Sequence, residues 1–176
     1  MQGSVFIATS LDGFIARENG DIDWLPQGGD AGEDYGYHAF MKDIDAIVMG
    51  RNTFELARAF PSWPYGETRV IVLTSREIDI PAAISKTVET MSGSPQRIVA
   101  RLEERGIRRA YVDGGVTIQR FLEAGAIQRI IITRIPILLG AGLPLFGALS
   151  RDVRLTHIET RSWPSGLVQS EYIVTG

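Results

Sequence analysis

The chain has 176 residues, 44% of them hydrophobic, which is enough for one sizeable core, and a single domain over 1–176 is expected. A formal net charge of −3 argues against nucleic acid or an anionic membrane as partner. With no cysteine, and with His38 and His157 as the only histidines, a disulfide framework, a thiolate metal site and a multi-histidine zinc site are all excluded.

The N-terminal residues enter an apolar segment without a basic leader, and no apolar run nears the roughly 20 residues of a membrane span, so a cytoplasmic protein is expected. That first segment is Val5-Phe6-Ile7-Ala8. Four similar runs follow, Ala46–Met49, Val70–Leu73, Ala110–Val112 and Ile130–Ile132, each ended by turn or polar residues. Short unbroken apolar runs predict strands buried on both faces. Between them Glu33–Lys42, Thr53–Ala59, Pro95–Arg105 and Thr117–Ala124 have helical spacing, and Ser94-Pro95 supplies an N-cap followed by a first-turn proline. Strands alternating with helices predict an α/β fold with a mainly parallel sheet. After Pro136 a Gly/Pro-rich turn leads to two strand-like stretches, Val153–Thr160 and Leu167–Val174, joined by Ser162-Trp163-Pro164-Ser165-Gly166. These predict a terminal hairpin added antiparallel to the sheet.

Three strand-to-helix corners carry the chemistry. In Met49-Gly50-Arg51-Asn52-Thr53 a buried strand ends in glycine, and an arginine and a threonine open a helix. The first-turn amides of a helix lack internal partners, glycine admits a ligand to the backbone, and the arginine fork and threonine hydroxyl suit phosphate. The second corner, Leu73-Thr74-Ser75-Arg76, places a hydroxyl and a guanidinium at what should be the same sheet edge, a fit for a phosphomonoester. The third, Asp113-Gly114-Gly115-Val116-Thr117, sets a double glycine before a helix, where a pyrophosphate can approach the backbone. Each alone reads equally well as an ordinary turn. Together they point to a dinucleotide, although the first turn, Ser10-Leu11-Asp12-Gly13, lacks the G-x-G-x-x-G fingerprint of a conventional Rossmann dehydrogenase.

Taken in order, these motifs resemble the dihydrofolate-reductase-like superfamily from Val5 to about Gly147. Ser10-Leu11-Asp12-Gly13-Phe14-Ile15 is similar to its nicotinamide-side loop and Trp24-Leu25-Pro26 to its Trp/Pro turn. Within the superfamily, Ser10-Leu11-Asp12-Gly13 and the run Pro136–Phe146 look more like the reductase domain at the C-terminus of the riboflavin-biosynthesis deaminase-reductase and its stand-alone bacterial relatives. The resemblance implies a three-layer domain that binds NADPH and reduces a small polar substrate. Arg51, Thr74, Ser75 and Arg76 would hold the 2′-phosphate, Gly50, Thr53, Gly114, Gly115, Val116 and Thr117 would seat the pyrophosphate and ribose, and Ala8 with Ile15 would form the nicotinamide wall. Two features depart from the pattern: Thr68 stands where folate reductases carry the arginine that holds the glutamate tail, and no Cys-based zinc motif of the deaminase half is present.

On the substrate side the resemblance offers two acids. Asp34 falls near the active-site carboxylate of folate reductases, with Thr133 as the threonine that bonds it; in an apolar cleft its pKa would be raised, suiting it to protonate a C=N nitrogen. Asp34 beside Glu33 also fits plain decoration of a helix N-terminus. Asp12 is the alternative, a loop aspartate that would bond the hydroxyls of a ribosylaminopyrimidine-like substrate, or simply part of an Asp-Gly turn. Tyr35, Tyr37, His38 and Met41 may be read as pocket wall or as core. A nucleotide-binding sensor without turnover remains the rival function. The apolar hairpin residues Trp163, Leu167, Val168, Tyr172 and Ile173 predict a face covered by a second subunit in a homodimer.

Overall fold

The computed structural model describes residues 1–26 and 33–175. Its strands are β1 (Gln2–Ser10), β2 (Phe14–Ala16), β3 (Ala46–Gly50), β4 (Arg69–Leu73), β5 (Val88–Met91), β6 (Arg109–Asp113), β7 (Arg129–Ile135), β8 (Leu143–Pro144), β9 (Leu155–Ser162) and β10 (Val168–Val174). The helices are α1 (Tyr37–Met41), α2 (Arg51–Arg58), α3 (Pro95–Glu104) and α4 (Gly115–Glu123). Eight strands form one sheet in the order β5-β4-β3-β6-β1-β7-β10-β9, and β2 pairs with β8 in a separate ribbon. The six strands from β5 to β7 run parallel, while β10 is antiparallel to both β7 and β9. The α/β class, the parallel sheet and the added hairpin all match the sequence-based expectation.

Alternation within β3 shows why its sequence is apolar throughout. Ala46 and Val48 enter one core with Ile98 and Leu102 of α3 and Ile118 and Phe121 of α4. Ile47 and Met49 enter the other with Phe40 of α1 and Phe54 of α2. Each such fully buried side chain contributes about 1.5–3 kcal/mol, so neither face tolerates a polar residue mid-strand. α3 begins as expected: Pro95 opens it and the Ser94 hydroxyl accepts from Arg97 N–H.

Three elements escaped the pattern analysis. β5 reads Val-Glu-Thr-Met, an edge strand with one apolar and one polar residue on each face, and β2 and β8 are too short for any periodicity to register. Conversely, the helix expected over Glu33–Lys42 shrinks to Tyr37–Met41, because Tyr35 has φ 51° and Gly36 φ 85°, left-handed conformations that no helix propagates. The hairpin also differs from expectation in what it covers. Leu167 is buried and packs with Trp24 and Ile135 in a third cluster, against which Trp163 is packed, its ring 5.1 Å from that of Tyr35. Those two residues seal one end of this chain's own core rather than an external face. Val168 is exposed as expected, and Leu155 and Ile158 of the outer strand are exposed as well.

Candidate functional site

Parallel pairing brings the C-terminal ends of β1, β3, β4, β6 and β7 to one edge, and every sequence-predicted corner lies there. Gly50 is opposite Leu73 in the β3–β4 register, so Arg51 and the Thr74–Arg76 turn leave neighbouring strands side by side. Thr74 shapes that turn, its hydroxyl accepting from Arg76 N–H and donating to Arg76 C=O, and Ser75 and Arg76 are exposed. Among the described residues the guanidinium groups of Arg51 and Arg76 have no carboxylate partner. Two uncommitted forks and a serine hydroxyl at one sheet edge suit a phosphate monoester.

Met49 pairs with Asp113, which sets the N-termini of α2 and α4 against each other across Gly50 and Gly114. The approach is close enough to require glycine at 114 and to crowd any side chain at 50. A Cβ on Gly114 would lie 2.3 Å from Thr53 Oγ1, and one on Gly50 3.1 Å from Thr117 Oγ1. Gly114 also has φ 88°, which side-chain-bearing residues rarely adopt. A Cβ on Gly115 would meet Ile15 Cδ1 at 2.9 Å. Ile15 and the β2–β8 ribbon therefore close over the start of α4, while Val116 stands out to solvent and Thr117 is buried beneath it. Two helix starts with bare first-turn amides, brought together on glycine backbone, are a corner of the kind that suits phosphate.

On the α1 face of the same edge, Ala8 pairs in register with Thr133. The Trp24 indole packs near Ala8, and its buried Nε1 has no hydrogen-bond partner among the described residues. The two expected acids are committed elsewhere. Asp12 accepts from Ser10 Oγ at 2.6 Å, Gly140 N at 2.8 Å and Leu139 N at 3.2 Å, tying the β1–β2 turn to the loop before β8. Asp34 accepts from Gly36 N at 3.0 Å and His38 N at 2.7 Å and contacts the exposed His38 ring, thereby capping the first turn of α1. The raised pKa expected of Asp34 is reversed: the His38 and Gly36 amides bind its charged form and hold its carboxyl below the usual range. Ser10 and the loop amides likewise lower Asp12. Thr133 accepts from Gln169 Nε2 at 2.9 Å, and the same nitrogen donates to the Tyr35 carbonyl at 3.0 Å, so the link from β7 to the α1 segment runs through Gln169 rather than Asp34.

The acid that the structure sets among tyrosines is the half-buried Asp113. It ends β6 on the sheet face of Tyr111, and Gly114 N–H donates to its Oδ1 at 2.8 Å. Burial raises its pKa to about 6, only partly offset by the Gly114 amide and the Tyr111 and Tyr65 hydroxyls. Their own burial, with the Asp113 charge second, pushes Tyr37 up to about 12 and Tyr65 and Tyr111 well above the usual phenol range. The sequence offered only an apolar strand ending in Asp-Gly-Gly, which reads as a turn. No spacing rule could have announced that three tyrosines from β6, α1 and the loop before β4 would enclose it.

The family model of the RibD C-terminal domain matches residues 3–168. Among curated proteins, the uncharacterized protein YwjB of Bacillus subtilis is 32% identical over 171 residues, spanning 96% of this chain and 95% of YwjB. The dihydrofolate reductase HdrB of Haloferax volcanii is 27% identical over 124 residues, 69% of this chain and 60% of HdrB. Among solved structures, a riboflavin-biosynthesis-like protein of Shewanella sp. PV-4 superposes with a TM-score of 0.93 at 39% identity, each chain fully covered. The dihydrofolate reductase of Enterococcus faecalis, solved with NADP(H), shares the fold at a TM-score of 0.68 and 18% identity, covering 99% of this chain and 97% of that one.

Proposed function

Because the chain belongs to the RibD C-terminal domain family, we propose that it is an NADPH-dependent reductase that delivers hydride to a small polar substrate. The observation that carries this reading is the junction of α2 and α4, where a Cβ on Gly114 would strike Thr53 and one on Gly50 would crowd Thr117, so that the two helix starts meet on bare glycine backbone. Gly50, Thr53, Gly114, Gly115 and the amides of Val116 and Thr117 would seat the pyrophosphate. Arg51, Thr74, Ser75 and Arg76 would take the 2′-phosphate, and Ala8 and Ile15 would line the nicotinamide. When bound, NADPH supplies the hydride; the protein orients it, excludes water and furnishes a proton.

Asp12 acts in this scheme as the anchor that holds the Ser10–Gly13 turn against Leu139 and Gly140, and Asp34 as the cap of α1. The substrate lies on the α1 face, among Thr133, Tyr35, His38 and Asp113. Since Thr68 carries no charge to hold a glutamate tail, dihydrofolate is expected to turn over weakly and a ribosylaminopyrimidine better. We also propose a homodimer, formed through the exposed outer strand β9 with Leu155 and Ile158.

Calorimetric titration with NADPH and NADH, followed by NADPH oxidation in the presence of dihydrofolate or a ribosylaminopyrimidine, tests the reading. NADPH should bind at least about tenfold more tightly than NADH. Tight NADPH binding with no oxidation by either compound would favour a cofactor-sensing module instead.

A further inference from the structure

We propose that the substrate's non-reacting arm lies in a groove between loop 21–26 and the end of α2, and that the groove admits an apolar, neutral or cationic arm while refusing a phosphate or carboxylate. The inference rests on the reductase reading above and narrows its substrate class to unphosphorylated heterocycles. The groove is open, about 410 Å³ in volume, with Ile22 and Leu25 on one wall and Leu56 and Phe60 on the other. Both walls continue into the cleft. Trp24, next to Leu25 in the chain, packs with Ile135, and Ala8 and Leu25 pack against the same cluster. α2 starts at the glycine junction with Arg51 and turns Phe54 and Ala57 into the core, which leaves Leu56 on the flank that meets the loop. Phe60 is 43% exposed, so the groove keeps apolar surface that this chain does not cover.

Charge decides what can cover it. Among the described residues that line the groove, the charged ones are Asp21 and Asp23. The guanidinium groups nearest in the chain are already committed. Arg17 pairs with Asp23 at 2.6 Å, and Arg58, between Leu56 and Phe60, pairs with Glu55 at 2.6 Å and Asp79 at 3.3 Å. Each wall therefore carries more carboxylate than guanidinium. Asp21 accepts from Asn19 Nδ2 at 2.6 Å and has no cation partner among the described residues, so its charge is open to an ammonium group. Residues 27–32, which follow Pro26, contain an aspartate and neither lysine nor arginine, so they bring no cation to the groove.

The two ends of α2 thus sort ligands by charge. Arg51 at its start is uncommitted and faces the cofactor's phosphates, whereas the paired Arg58 near its end offers an incoming anion nothing. A phosphate entering the groove would give up hydration without gaining a counter-charge and would meet the Asp21 carboxylate.

The first arm of the test needs no turnover. Protein with labelled leucine methyl groups is titrated by NMR, with and without NADP+, against phenylbutylamine and phenylbutyrate, which share an apolar arm and differ in charge. The amine should move the Leu25 and Leu56 methyl resonances and bind at least about fivefold more tightly than the acid. Asp21→Asn should shrink that preference at least about twofold, and Phe60→Ala should weaken both probes alike. Acid binding as tight as amine binding, or no movement of the Leu25 and Leu56 methyls by either probe, overturns the proposal. In the second arm a ribosylaminopyrimidine is compared with its 5′-phosphate: kcat/KM should be at least about tenfold lower for the ester, mainly through KM, and Asp21→Lys should narrow the gap. Equal or better use of the ester overturns the proposal. Protein that seats the amine but does not bind NADPH overturns the reductase reading and not the groove.

Discussion

The two halves of the candidate site are built from different kinds of constraint. At the α2–α4 junction the constraint lies in what is absent: a Cβ on Gly114 would stand 2.3 Å from Thr53 Oγ1. On the α1 side the group that stands out is a carboxylic acid whose character depends on its surroundings. Burial raises Asp113, whereas amide donors lower Asp34, although both are aspartates on the same side of the sheet. Backbone-limited chemistry is written locally. Desolvation is assembled from distant segments, and the residue that receives it cannot be identified until they meet.

The strongest way to break this contrast is Gly114→Ala. Alanine must take φ 88° at a cost of about 1–2 kcal/mol and then displace the Thr53 side chain. NADPH affinity is expected to fall at least about 100-fold, read by calorimetry. Full wild-type affinity in Gly114→Ala would show that the junction does not hold the cofactor.

The next largest effect concerns stability. Asp113 is raised to about 6 in the folded chain and titrates near 3.9 when unfolded. The folded state therefore binds its proton more tightly, and the stability this provides is complete below about pH 4, declines as pH rises through 6 and is then gone. Asp113→Asn keeps the shape without the charge. It should match wild type in acid and exceed it above pH 6 by about 2 kcal/mol, measured by urea unfolding at both pH values. A variant both inactive and more stable would mark Asp113 as a residue retained for chemistry at the expense of the fold; one destabilised at pH 8 would contradict the buried-acid picture.

Arg76→Ala sharpens the cofactor side by a smaller amount. If Arg76 contacts only the 2′-phosphate, its removal should weaken NADPH about tenfold, about 1.4 kcal/mol, and leave NADH within twofold. Equal losses for both would place the guanidinium on a part of the cofactor that the two share.

How much could be read from the sequence follows the same division. Val48 and Ile71 lie in strands whose both faces are buried, so their runs of apolar residues announced them, and Ser94-Pro95 announced α3 by a rule confined to a few adjacent positions. The three corners were readable because each is a contiguous motif. Tyr65 and Tyr37 were not, since they meet Asp113 only after α1 and the loop before β4 fold over β6, and Trp163 was misjudged because its partner Tyr35 is distant in the chain. Resemblance to folate reductases directed attention to α1, where Asp34 occupies a familiar position without the desolvation that would make it an acid.

Asp34 offers the smallest and most discriminating effect. Its carboxylate accepts from Gly36 and His38 amides at the start of a five-residue helix, the arrangement of a cap. Those amides lower its folded pKa, so its contribution to stability is present above the unfolded value near 3.9 and is lost as pH falls through the lower folded one. Asp34→Ala should therefore cost about 1 kcal/mol at pH 7, and the difference from wild type should close on acidification below pH 4. Asp34→Asn retains an oxygen acceptor for the same amides and should lose less than half as much. If Asp34 were instead the proton donor, Asp34→Asn would lower turnover about 100-fold with little change in unfolding, the inverse of the capping pattern. Parallel unfolding curves and turnover rates for the two variants separate the roles, because a cap distinguishes alanine from asparagine through stability and an acid rejects both through rate.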